Sequence, residues 1–215
     1  MDCVGNRPTS HRERKRERTR QAILDAADLF ERRGYEGTTI ADIAAGAEIG
    51  TRTFFSYFAS KEALLFPESD ARVAAAVAAI DACEPGDHPA DLLPRALRDV
   101  HETDTEMAGS MARLRLRLAQ SVPVVRGRAL REQLDAQVQI AERLQAAFPD
   151  ELDAVQAAAL VGAFIGAVAG ASQVLLAEPD ALADPRRLQR RMREATERAL
   201  RPFLKEFKEF KEFEE

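Results

Sequence analysis

The chain is short of residues that carry catalytic or metal chemistry. It has two cysteines and three histidines in 215 residues. Cys3 and Cys83 are too few for a disulfide framework, which fits a reducing cytoplasm. His11, His88 and His101 are scattered and lack metal-ligand spacing with the cysteines, so no metal is expected. No nucleophile–base pair or phosphate loop is visible, so no catalytic residues, no enzyme activity and no cofactor are expected. Residues 1–20 are polar and basic, so no signal peptide is expected there. Convincing strands are missing too. Leu114 to Leu118 alternates as LRLRL, but Met111, Ala112 and the Ala119-Gln120 continuation favour helix. The expected class is therefore all-α. A chain of this length can bury one good core and a smaller second one.

The net charge of −5 hides an asymmetry. Through Lys61 there are eleven Lys and Arg against nine Asp and Glu; the remainder has twenty against twenty-seven. The excess of positive charge is concentrated in HRERKRERTR, His11 to Arg20. Such a run attracts phosphates with a steep salt dependence. As a flexible arm over residues 1–17 it can also reach a minor groove.

Thr38 to Glu62, TTIADIAAGAEIGTRTFFSYFASKE, carries the densest local pattern. Thr39 suits a helix N-cap. Ile40, Ile43, Ala44 and Ala47 then recur at spacings of three and four, one apolar face. Gly46 is placed to stop that helix in a left-handed conformation. A second helix begins at Gly50. Phe54 and Phe58 share its inner face, four residues apart. Thr51, Arg52, Thr53, Ser56 and Tyr57 point largely elsewhere. Two short helices with small and hydroxyl residues opening the second form a helix-turn-helix, whose second helix enters the DNA major groove. Arg52 can make two bonds to guanine, and the Thr methyls can pack on thymine methyls. Ser60 is the next N-cap, and that helix start with Lys61 suits a phosphate. Upstream, Arg18 to Arg33 reads as one helix, with Ile23, Ala26, Ala27 and Phe30 on one face.

The pattern AAxLFxxxGYxxTTIxDIAxxAxIGxxTFFxYFxSKExLL, running from Ala26 to Leu65, resembles the amino-terminal DNA-binding domain of the TetR family of bacterial regulators. The resemblance covers roughly residues 18–66. It implies a ligand-responsive, homodimeric DNA-binding regulator, a repressor released from its double-stranded DNA operator by a hydrophobic small molecule. The alternative is a non-catalytic helical interaction module, or an activator without an effector. The DNA-contacting residues carried over are Thr39, Gly50, Thr51, Arg52, Thr53, Phe55, Ser56, Tyr57 and Lys61. Three depart from the family pattern. Gly50 stands where Ser or Thr is frequent, Arg52 where Gly is frequent, and Phe55 in place of the usual Tyr.

Beyond residue 66 the sequence reads as helices broken by prolines. One runs from Ser60 toward Cys83, bent at Pro67, which lies where a hinge can transmit an effector signal. Others are expected near 90–107, 110–121, 124–148, 151–177 and 185–207, in an effector-binding and dimerisation domain over residues 67–207. The Phe-Lys-Glu repeat of residues 208–215 forms a tail, either a frayed end or a prolonged last helix, with a bend expected at Pro202. Candidate pocket residues are Met107, Met111, Leu114, Leu118, Val138, Phe164 and Val168. SMARLRLRLAQSVPVVRGRALREQL resembles the effector domain of regulators similar to the mycofactocin-system regulator, some of which respond to acyl-coenzyme A. That implies Arg113, Arg117 or Arg128 near an anionic group of the effector.

Ala154 to Ala177 holds no charge and repeats Gly162, Gly166 and Gly170. Its length permits a membrane span. Its alanine content, its terminal Gln156 and Gln173, and its lack of an aromatic belt or basic flank favour a buried helix and no membrane. By the family resemblance, this helix and the last one form the dimer, with Gly162, Gly166, Gly170, Leu188 and Met192 at the interface.

Overall fold

The computed structural model describes residues 10–67, 69–84, 86–89, 92–95, 110–180 and 183–212, with the side chains of 110 and 201–212 excepted. All regular elements among them are helical. The chain divides into two compact units between Phe66 and Pro67.

The first unit has four helices: α1 (His11–Asp25), α2 (Asp28–Arg33), α3 (Ile40–Gly46) and α4 (Thr51–Phe55), followed by a 3-10 turn at Glu62–Leu65. Ile23, Ala27, Phe30, Ile43, Phe54, Leu64 and Leu65 form its buried interior. α1 starts at His11, so residues 11–17 are helix and not a flexible arm. The cause is a capping box. Ser10 Oγ accepts from the Glu13 amide at 3.2 Å, and the Ser10 amide donates back to the Glu13 carboxylate at 2.6 Å. The expected single helix over Arg18–Arg33 is two, broken at Ala26–Ala27.

The second unit contains α5 (Ser69–Asp81), a helical turn at residues 92–95, α6 (Ser110–Ser121), α7 (Pro123–Ala147), α8 (Ala154–Leu175) and α9 (Pro185–Glu212). Pro67 precedes α5 and does not bend it. α7 opens with Pro123 at its first position, where the missing amide is no loss. Asp153 and Gln156 form a capping box at the start of α8. α9 continues past Pro202 to Glu212, so residues 208–212 prolong the last helix. The main core joins Ile80, Leu92, Leu93, Ile140, Leu144, Leu160 and Phe164. A smaller cluster joins Ala112, Leu175, Leu176, Leu188 and Met192. Among the described residues, α8 alone is long and apolar enough to cross a membrane, and only 22% of its most apolar window is buried in the protomer.

Candidate nucleic-acid interface

α4 is short, and its orientation is fixed by one side chain. Phe54 has no exposed surface and packs 5.9 Å from the Phe58 ring, centroid to centroid. With Phe54 turned inward, Thr51, Arg52, Thr53, Phe55 and Ser56 are all exposed. Phe55 is 54% exposed and meets Phe54 edge-on. Gly50 is the N-cap and supplies no side-chain bond, as its identity requires. The first amides of α4 therefore have no side-chain acceptor at the cap.

The turn before α4 is set by a residue the sequence reading passed over. Glu48, not Gly46, adopts the left-handed conformation, at φ 55°. Gly46 is there for space: a Cβ would lie 3.4 Å from the Ala26 Cβ. This glycine lets α3 approach α1 closely. Thr39 caps α3 in a box with Asp42, its hydroxyl accepting from the Asp42 amide at 3.1 Å. Hydrogen bonds from the Thr39 hydroxyl and amide hold the Asp42 carboxyl below the usual range. Thr39 is thus engaged within the helix-turn-helix and remains exposed.

Lys61 is likewise engaged internally. Its Nζ donates to the carbonyls of Tyr35 at 2.8 Å and Thr38 at 3.0 Å, and lies 3.8 Å from the centre of the Tyr35 ring. Two of three donors are committed, so Lys61 braces the loop before α3 in addition to any phosphate contact. Tyr35, only 5% exposed, donates its phenol to Glu62. Burial, then the hydrogen bond to Glu62, pushes the Tyr35 phenol far above its ordinary value. Burial pulls Glu62 upward, but hydrogen bonds from Tyr35 and Ser60 outweigh it and hold the carboxyl below its usual range. Thr38, fully buried, donates to Gly34 at 2.8 Å with the Leu29 carbonyl 3.2 Å away. These contacts fasten the α2–α3 loop to the end of the unit. Tyr57 is half-buried, and the Arg16 guanidinium of α1 stands over its ring at 5.9 Å.

The second unit places the remaining predicted residues in different settings. Met107 lies outside the described residues. Leu114 and Leu118 are buried and Met111 is half-buried. Phe164 and Val168 belong to the main core. Val138 is 55% exposed, on the side of α7 away from Val125 and Ile140, and lines no interior. Arg113 is drawn to the end of α8, where it donates to the carbonyls of Leu176 at 3.0 Å, Glu178, and Pro179 at 3.2 Å. It caps the carboxyl end of α8. Arg128 pairs with Glu132 at 2.5 Å.

The dimer residues also separate. Gly166 and Gly170 face open space. At Gly162 a Cβ would come within 2.8 Å of the Gln137 side-chain amide, so this position faces α7 of the same protomer. Leu188 and Met192 are buried in the protomer's own smaller core, because the apolar stripe of α9 faces inward. Their side chains are thus covered within the protomer. The uncovered surface consists of Val155, Gly166, Gly170 and Val174 on α8, and Ala195 and Ala199 on α9. A groove of ≈ 550 Å³ runs between these helices, lined by Ala171, Val174, Arg191, Ala195, Arg198 and Ala199, among others. At its edge Arg191 pairs with Glu178 at 2.5 Å and holds that carboxyl below the usual range.

Residues 23–66 match the family described as bacterial regulatory proteins, tetR family. The chain is 34% identical over 148 residues to the HTH-type transcriptional regulator TcmR of Streptomyces glaucescens, with 66% of each chain covered. It thus spans just under two thirds of that relative's length. Among solved structures, it is similar to Thermus thermophilus FadR, a TetR-family transcriptional repressor in complex with lauroyl-CoA. That likeness has a TM-score of 0.57 at 23% identity and covers 86% of this chain and 93% of the other. A transcriptional regulator from Rhodococcus sp. Rha1 gives a TM-score of 0.50 at 19% identity, covering 86% and 96%. These structures share the fold.

Proposed function

The chain belongs to the TetR family of bacterial transcriptional regulators, and from that premise we propose that it is a homodimeric, cytoplasmic repressor released from its DNA operator by a hydrophobic small molecule. The observation that carries the DNA reading is α4. Its one fully buried aromatic turns five successive-turn neighbours outward, and Arg52 and two threonines head that surface. This is a surface with donors and methyl groups and no acid, suited to base edges in a major groove. Thr51, Arg52, Thr53 and Phe55 read the bases. Ser56 and Tyr57 flank them, the free α4 amides at Gly50 meet a phosphate, and Thr39 with Lys61 holds the support in place.

Support for the dimer comes from α8. An uncharged helix with Val155 77% exposed and Val174 66% exposed leaves apolar surface in water. A second copy packed against α8 and α9 covers it, and open positions at Gly166 and Gly170 permit close approach. A dimer supplies two α4 helices to an operator whose half-sites lie about 34–36 Å apart, one DNA turn.

The effector reading has two supports. FadR of T. thermophilus, which shares the fold, is seen in complex with lauroyl-CoA, and the Ser110–Leu134 segment resembles regulators similar to the mycofactocin-system regulator, some of which respond to acyl-coenzyme A. An acyl-CoA-like molecule lodged among Leu114, Leu118, Phe164 and Val168 releases DNA only if it binds the released state more tightly. A gel shift on the DNA flanking the chain's own gene tests the whole reading. The intact protein retards that DNA, Arg52→Ala weakens retardation, and an acyl-CoA series abolishes it. Equal retardation of unrelated DNA, with Arg52→Ala indistinguishable, contradicts the site.

A further inference from the structure

The first half of α1 projects a row of arginines that the reading above does not use. At 3.6 residues per turn, Arg12, Arg16 and Arg20 recur every fourth position on the face that also carries the buried Ile23. That face turns toward the body of the unit. Arg16 shows where it leads, since its guanidinium lies 5.9 Å from the centre of the Tyr57 ring at the edge of the reading surface. Arg12, one turn earlier, continues the row outward by about 6 Å, and both residues are exposed. The acids of this segment are engaged elsewhere than at Arg12 and Arg16: Glu13 is bound in the Ser10 capping box, and Glu17 pairs with Arg20, the row's last member, at 3.7 Å. The capping box makes the row part of a helix with a defined start rather than a loose tail.

We propose that the first half of α1 is a rigid clamp for the DNA sugar–phosphate backbone, with Arg12 and Arg16 binding phosphates beside the bases read by α4. The proposal rests on the DNA-binding reading. It differs from a minor-groove arm in kind. A helix carrying guanidinium groups on one face meets phosphates and contributes affinity without sequence preference, whereas an arm in the minor groove adds a preference for A·T pairs.

The test uses the full chain and a fluorescent duplex that the full chain itself selects from a randomised pool. Each phosphate contact contributes about 0.9 to the slope of log affinity against log salt. The double substitution Arg12→Ala/Arg16→Ala therefore lowers that slope by about 1.8, while the selected sequence stays the same. Between 50 and 200 mM salt the variant loses about tenfold less affinity than the parent. Arg12→Lys/Arg16→Lys keeps the slope, which separates charge from helix integrity. An unchanged slope in the Ala variant, with selection intact, overturns the clamp and leaves the α4 reading standing. Loss of a flanking A·T preference in the Ala variant overturns it in favour of a minor-groove arm. A parent chain that selects no sequence removes the reading and the clamp together.

Discussion

α4 and α8 each leave a surface uncovered, and the two surfaces are opposites. α4 buries Phe54 completely and exposes Thr51, Arg52 and Thr53. α8 exposes Val155, Val174 and two open glycines, with no charge along its length. The first surface offers donors and methyl groups to a polyanion with patterned edges. The second offers shape and apolar area, which in the proposed dimer meet another copy of the chain. One chain thus carries two kinds of recognition, and they depend on different physics. Hydrogen bonds and charge make α4 specific and sensitive to salt. Apolar area makes α8 sticky without any release of counterions.

The sharpest way to break the contrast is to remove what orients α4. Phe54→Ala empties a fully buried aromatic site and costs about 3–5 kcal/mol of stability. A denaturant melt of the full chain followed in the first unit measures it, and DNA binding is lost with the fold. A charge on α8 acts on the other surface. Val155→Glu leaves the protomer folded, because the side chain is exposed there, but it places an unpaired carboxylate in each copy of the proposed dimer face. Dimerisation weakens by about 3 kcal/mol or more. Light scattering then reports monomer at micromolar concentration, and operator affinity falls with it.

Arg52→Ala comes next. It costs about 1–3 kcal/mol in operator binding and relaxes the preference at one base pair, with the melt unchanged. Competition between the operator and single-base variants reads that out.

The smallest effect concerns the loop that supports α4. Tyr35→Phe deletes the donor to Glu62 and destabilises the first unit by about 1.5 kcal/mol at neutral pH. The sign with pH is fixed by Glu62. Its carboxyl sits below the ordinary range in the folded chain, so it contributes stability above the unfolded carboxylate value of about 4.3 and loses it as pH falls through the folded value. The gap between parent and variant melts should therefore narrow as the pH drops below about 4. A constant gap removes Glu62 from the account.

The local pattern of the helix-turn-helix was legible because its determinants lie within a few residues of one another. Thr39 and Asp42 make a cap three residues apart, and Phe54 and Phe58 mark an inner face four apart. The helices α6 to α9 were placed to within a few residues by their prolines and caps. What failed was of another kind. Leu188 and Met192 form an apolar stripe, and a stripe identifies a buried face without saying which neighbour covers it. The same holds for Val138, apolar yet turned to water. The left-handed Glu48 gave no sequence signal, since Gly46 was the residue that steric preference favours. Ser10 and Glu13 did carry a signal, a capping-box spacing, but the density of charge around it read as a tail.

The central claim is that two copies of α4 read one DNA site. Selection of duplexes from a randomised pool by the full-length chain, followed by the mass of the complex in solution, tests it most directly. The account predicts an inverted repeat with half-sites one or more helical turns apart, bound by an even number of protomers. A single unrepeated half-site bound by one protomer, or no enrichment at all, would contradict it.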